Sequence, residues 1–186
     1  MEHFINETID ISSLPKFEEA KLSPLQKRYW LVIVINIIIT FLIIAAIVAA
    51  ALYFIEEIQP YWLVFGIAYF CLLAFVVLVK RIGFLNKGYA FRTHDMIYKS
   101  GAIAVTTTVI PYNRIQHAAM HEGFISRKMG LSSVEVFTAG GINSEVKISG
   151  IEKTQAERIK GLLMGKVLKE DEANEGLSNE GVSNEE

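Results

Sequence analysis

Two uncharged apolar runs near the start of the chain decide most of what it can fold into. Trp30 to Ile55 is 26 residues without Asp, Glu, Lys, Arg or His, and Ile58 to Val79 is another 22. A hydrocarbon core about 30 Å thick is crossed by roughly 20 helical residues rising about 1.5 Å each, so either run can span it. The β-branched residues of the first run (Ile35, Ile37, Ile38, Ile39, Val48) would favour strand in water. In lipid a lone strand leaves its backbone polar groups unpaired, so two helices are predicted. Only Glu56 and Glu57 join the runs, which demands a tight antiparallel hairpin. Pro60 falls in the expected first turn of the second helix, where its missing N–H costs nothing. Tyr53, Tyr61 and Trp62 gather at this end and Tyr29 and Trp30 at the other, as interfacial aromatics do. Asn36 and Thr40, four apart, could hydrogen-bond across to the second helix. Neither is ionisable, and spans without a charged residue argue against a transporter made of this chain alone.

The flanking charges set an expected orientation. Lys16, Lys21, Lys27 and Arg28 precede the first run; Lys80, Arg81, Lys87 and Arg92 follow the second; the turn between them has no base. By the positive-inside rule both termini lie in the cytoplasm and the Glu-Glu turn outside. The expected location is therefore the cell membrane, with two spans. The 29 residues before the first run carry five acids and four bases, unlike a cleaved signal peptide, whose apolar region is also far shorter. Asn6 to Leu22 reads as a loosely ordered leader with turn residues Ser12, Ser13 and Pro15. Its apolar residues could pack under the following domain.

Beyond Arg81 the hydrophobic period changes. Tyr89-Ala-Phe91, the turn cluster Thr93-His94-Asp95 and Met96 to Gly101 predict a β-hairpin. Val105 to Ile110 is a third strand that stops at Pro111. Asn113 to Glu122 is a fourth, with Ile115 on the face opposite Arg114 and Gln116. Ser133 to Thr138 alternates and ends in Ala139-Gly140-Gly141; Glu145 to Ile148 alternates and ends at Gly150. Six short strands with turn signals between them predict an antiparallel sandwich or barrel. The last element switches to a helical period: Ala156, Ile159, Leu162 and Leu163 share a face, with Thr154 available as a cap. One terminal amphipathic helix suggests a barrel whose open end it plugs.

Charge divides the chain more sharply than its net −2 implies. Residues 84–169 hold 12 Lys/Arg against 6 Asp/Glu, while 170–186 hold 7 acids and no base. The tail repeats Asn174-Glu-Gly-Leu-Ser178 as Asn179-Glu-Gly-Val-Ser183, and low hydrophobicity with one-sign charge predicts disorder. It could also fold back on the basic domain. The expected organisation is a cytoplasmic leader at 1–29, spans at 30–55 and 58–79, a domain at 84–169 and an acidic tail at 170–186. The single cysteine, Cys71, lies in an apolar run; it rules out an intrachain disulfide and a cysteine-based zinc cluster.

The order of motifs carries a resemblance. Two helices are followed by Tyr89-x-Phe91-x-Thr93-x-Asp95 and Gly101, then Pro111-Tyr-Asn-Arg114-Ile115-Gln116, Arg127-Lys-Met-Gly130-Leu131 and Val136-Phe-Thr138-Ala139-Gly140. Over about residues 22 to 165 this resembles the bacterial pleckstrin-homology-like membrane proteins of the YdbS type. The resemblance implies a PH-like β-barrel or sandwich with a C-terminal helix and no known catalytic residues. It also implies partnership with a larger membrane protein carrying further copies of the domain. The acidic tail and the His117…His121-Glu122 stretch lie outside the pattern.

Candidate binding residues follow from charge and position. Arg114 and Gln116, preceding a loop that ends in Arg127-Lys128, could grip a partner or an anionic headgroup. Structural duties are also open to them: Arg114 could pair with Glu135, and Gly130 could supply a positive φ. Lys80 and Arg81 could bind anionic lipid or serve only as topology anchors. His117 and His121 sit about 13 Å apart on a strand, too far for one zinc with bonds near 2 Å. Gly88, Gly101, Gly140 and Gly141 form no phosphate loop, and no Ser/His/Asp grouping stands in a motif. The reading is thus non-enzymatic, without cofactor or metal and without a nucleic-acid partner. The expected function is a membrane-anchored interaction or scaffold module, partnered by membrane lipids and by a second PH-repeat membrane protein or further copies of itself. Two rivals stand beside it: direct recognition of anionic lipid by the basic domain, and an accessory subunit of a membrane enzyme or transporter.

Overall fold

The computed structural model describes residues 20–139 and 145–166. Helix α1 (Tyr29–Phe54) and helix α2 (Trp62–Asn86) form the hairpin, joined by a 3-10 segment, Glu56–Tyr61. Pro60 lies inside that 3-10 segment rather than in the first turn of α2. Leu42, Ile43, Ile47, Phe70 and Phe75 all point outward. So broad an apolar surface finds its solvent in lipid: the chain is a membrane protein with two spans. The helices are pinned together near mid-length, where the Phe41 and Tyr69 rings meet edge-on at 5.5 Å. The Tyr69 hydroxyl donates to the Phe41 carbonyl at 3.1 Å. Asn36 does not reach across as expected. Its amide turns back to the Val32 carbonyl of its own helix at 2.9 Å, the nearest acceptor one turn away. The bond across the hairpin comes from Tyr69.

The domain is built of two antiparallel sheets. β1 (Ser23–Pro24), β2 (Gly88–Phe91), β3 (Asp95–Ser100) and β4 (Thr106–Pro111) pair in chain order. So do β5 (Ile115–His121), β6 (Leu131–Thr138) and β7 (Glu145–Glu152). Among the described residues no ladder joins β4 to β5. Pro111 and the 3-10 turn Tyr112–Arg114 redirect the chain at that corner, so the domain is a sandwich and not a closed barrel. A short helix, α3 (Phe124–Lys128), interrupts the β5–β6 connection. Helix α4 covers 153–166 and lies on a core shared by both sheets, with Met96, Val134, Val136, Ile148, Ile151 and Leu163 sealed from solvent.

Four details depart from the sequence reading. The chain before α1 supplies an edge strand, Ser23 opposite Tyr89 and Pro24 opposite Gly88, and plants Leu25 in the core. β7 does not end at Gly150 but runs through it. Ser132 faces Ile151 and Ser133 faces Ser149, leaving Gly150 as a bulge at φ +74°, a conformation that favours glycine. Leu162 is 45% exposed; the buried stripe of α4 is Ala156, Ile159 and Leu163. Thr154 sits inside the first turn of α4, which begins at 153, and so is not its cap. The expected disordered tail and most of the leader lie outside the described residues, as do Gly140 and Gly141.

Candidate interaction surfaces of the anchored domain

The chain enters α1 from the domain and returns to it from α2, and contacts at this junction fix how the domain sits on the hairpin. The Gln26 amide donates to the Gly150 carbonyl at 3.0 Å. The Tyr29 ring lies over Gly150 so closely that a Cβ there would stand 2.3 Å from Tyr29 Cγ. Tyr29 and Trp30 both approach Phe84, at 6.5 and 5.8 Å between ring centres. The Arg81 guanidinium stands 4.9 Å from the Trp30 ring centre, a cation–π contact. Asn86 donates to the Gly101 carbonyl at 3.2 Å, and Ala102 rests against Gly83. The domain is therefore held in one orientation, with the β3–β4 loop beside the hairpin.

That orientation divides the six candidate residues. β5 leads away from the Arg114 corner and returns over about 20 Å toward the hairpin, where α3 lies beside α1. Arg127 and Lys128, on α3, thus share the membrane side with Lys80 and Arg81. The Lys128 ammonium covers the exposed Phe124 ring at 5.1 Å. Arg114 and Gln116 stand at the far end, with the β2–β3 turn and the end of α4. This end is stiffly built. Arg92 donates twice to Asp95 at 2.6 Å, the Tyr112 hydroxyl donates to the Arg92 carbonyl at 2.8 Å, and Lys166 donates to the Thr93 carbonyl at 3.2 Å. No single patch unites the six.

The expected Arg114–Glu135 pair is not formed. Glu135 takes Lys147, which faces it directly across the β6–β7 ladder, while Arg114 is at the corner before β5. Gln116 occupies a bulge: Ile115 faces Thr138 and His117 faces Phe137, so Gln116 has no cross-strand partner and is exposed. Beside this corner runs β4, paired only with β3 among the described residues. Its sequence, Thr-Thr-Thr-Val-Ile-Pro, carries no charge to guard the open edge. Gly130 has φ +67°, as its place in the turn before β6 suggested.

His117 and Glu122 serve the framework. The His117 ring stacks on Phe137 at 4.3 Å. Glu122 accepts from Ser132 Oγ at 3.1 Å and pairs with Lys153 at 3.2 Å. Lys153 chiefly, then Ser132, holds its carboxyl below the usual carboxylate range. A depressed folded-state pKa contributes stability that is present above the unfolded value, about 4.3, and lost as pH falls through the folded one. Glu122→Gln is therefore expected to lower the melting temperature slightly at neutral pH and not at all in acid, where wild type and variant converge. A gap that persists in acid would show that the ion pair is not its source.

Comparison with known proteins places these features. The family model described as "Bacterial PH domain" matches residues 13–167. The chain is 26% identical over 143 residues to UPF0699 transmembrane protein YdbS of Bacillus subtilis (strain 168), covering 75% of this chain and 87% of that protein. No solved structure matches. The resemblance read from the motif order, and the two-span PH-like class, are thereby borne out.

Proposed function

We propose, for a chain that belongs to the bacterial PH domain family, a non-enzymatic role as an oriented scaffold, recruiting a partner to the face of the membrane on which its domain stands. One observation carries the reading. The domain is clamped to its hairpin so that Arg114 and Gln116 lie at the end away from the bilayer, and the uncharged edge of β4 runs from the hairpin-side loop up to that corner. A strand edge of this kind accepts an extended segment by backbone hydrogen bonding, and neighbouring side chains select which one. A second PH-repeat membrane protein, or another copy of this chain, fits such a surface. The aromatic and basic residues near α1 and α2 then serve the membrane and not the partner.

Co-purification in mild detergent tests the proposal. A reproducible partner is expected, and Val109→Pro, which removes a backbone donor from the open edge of β4 because Val109 and Ile97 form a non-hydrogen-bonded pair, combined with Arg114→Ala should reduce its recovery about tenfold, the equivalent of about 1.4 kcal/mol. A strictly monomeric protein, or recovery unchanged in the double variant, would count against it. Liposome flotation of the domain without its spans, residues 20–29 tethered to 84–169, separates the lipid-recognition rival, because a partner scaffold predicts no dependence of that piece on headgroup charge.

The scaffold acts on the cytoplasmic side, on the strength of Lys27, Arg28, Lys80 and Arg81 flanking the domain end of the hairpin. In a Cys71→Ser background, Glu57→Cys is expected to react with a membrane-impermeant maleimide in intact cells and Arg158→Cys only after lysis. The reverse pattern would invert the topology.

A further inference from the structure

The Phe41–Tyr69 contact divides the seam between α1 and α2 into two grooves of different chemistry. Toward the Glu56 turn the groove is about 200 Å³, walled by residues such as Val48, Leu52 and Phe65, with no charge. Toward the domain it is about 540 Å³, with Ile33, Ile37 and Val76 in its walls and Lys80 and Lys87 at its mouth. Lys80 and Lys87 are seven apart, so they lie on one face of the chain as it leaves the bilayer. Among the described residues no carboxylate lines this groove, and neither lysine has an acidic partner. Lys87 is half-buried, and its ammonium is pushed below the ordinary lysine range by burial and then by the charge of Lys80. Two cations held near each other against an apolar wall call for an anion.

The length of the groove says what kind. From Tyr69, at the contact that closes the groove, to Lys80 the helix rises about 16 Å, close to the roughly 15 Å depth of one hydrocarbon leaflet. The groove thus runs from the headgroup level to mid-bilayer and closes at the Phe41–Tyr69 contact. Its volume suits an acyl chain rather than a whole lipid, and its open side faces the bilayer.

We propose that the domain-side groove between α1 and α2 holds one anionic phospholipid, with an acyl chain against Ile33, Ile37 and Val76 and its phosphate between Lys80 and Lys87. This site is independent of the scaffold reading, because it lies at the opposite end of the domain from Arg114. A bound lipid would also touch Ala102 and Phe84, which line the same mouth, and so would brace the junction.

The test uses the full chain in a neutral detergent, titrated with phosphatidylglycerol or with phosphatidylcholine of the same acyl chains, and native mass spectrometry counts the lipids retained. One phosphatidylglycerol is expected per chain, favoured over phosphatidylcholine by about 10- to 30-fold, the range that two basic groups near a membrane surface supply. In Lys80→Gln/Lys87→Gln the preference should fall below about 3-fold. Thr40→Phe, which fills the groove without touching charge, should reduce retention of both lipids. The control Arg158→Gln/Lys160→Gln, on the exposed face of α4, should change neither. Equal retention of the two lipids by the native chain, a preference that survives loss of both lysines, or an equal loss in the control would overturn the proposal. So would millimolar inorganic phosphate abolishing the preference, which would mark a site for a free anion.

Discussion

Gly150→Ala is expected to destabilise the domain by about 3–5 kcal/mol, a large part of the 5–15 kcal/mol typical of a folded domain. Two penalties add. The backbone at Gly150 has φ +74°, and a residue with a Cβ pays about 1–2 kcal/mol to stay there. The new methyl would also stand 2.3 Å from Tyr29 Cγ and 2.6 Å from Cδ1, so the ring must leave. Its departure breaks the contact with Phe84 and loosens the hydrogen bond from Gln26 to the Gly150 carbonyl. A double-mutant cycle with Tyr29→Ala separates the terms. Once the ring is gone, Gly150→Ala should cost only the conformational part. Thermal unfolding of the four proteins reads the result directly. An equal cost in both backgrounds would mean that the junction is not a clamp and that the orientation of the domain rests on something else.

How legible this molecule is from its sequence varies with the physics of each part. The spans were readable because hydrocarbon tolerates no charge, and 26 and 22 uncharged residues leave few alternatives. Most strands were readable because one face of each is dry: Val134 and Val136 are fully buried and alternate with residues that are less so. β1 was not, since a two-residue strand ending in proline has no alternation to show. The continuation of β7 was hidden because glycine signals a strand end and a bulge equally well, and only the facing strand decides between them. Pairing Arg114 with Glu135 failed because sequence supplies complementary charges without register; the ladder places Lys147 opposite Glu135 instead. The domain-side groove was missed for a related reason. The uncharged run stops at Val79, but α2 continues to Asn86, since a helix has no need to end where the hydrocarbon does. Only that continuation sets Lys87 in line with Lys80.

The edge strand before α1 leads to the second large effect. A soluble piece made of residues 84–169 alone, the boundary that composition suggests, is expected to be poorly stable and to aggregate. It lacks Leu25, which is buried among Tyr89 and Ile151 in the core cluster. Losing a buried leucine costs about 2–5 kcal/mol when a cavity is left behind. It also lacks β1, whose close approach to Gly88 shows in the 3.0 Å that would separate a Cβ there from Leu22 Cβ. Without it β2 becomes an open edge, a template for pairing with other chains. Tethering residues 20–29 to residue 84 through a flexible Gly/Ser linker should restore most of the stability and keep the piece monomeric, while the same tether carrying Leu25→Ala should recover much less. The comparison is made by urea denaturation and light scattering at equal concentration. If the untethered piece were as stable as the tethered one, the chain before α1 would be a passenger. If the tether rescued it only with Leu25 intact, the domain would be completed from both sides of the membrane hairpin, and the fold could not form until both spans had been made.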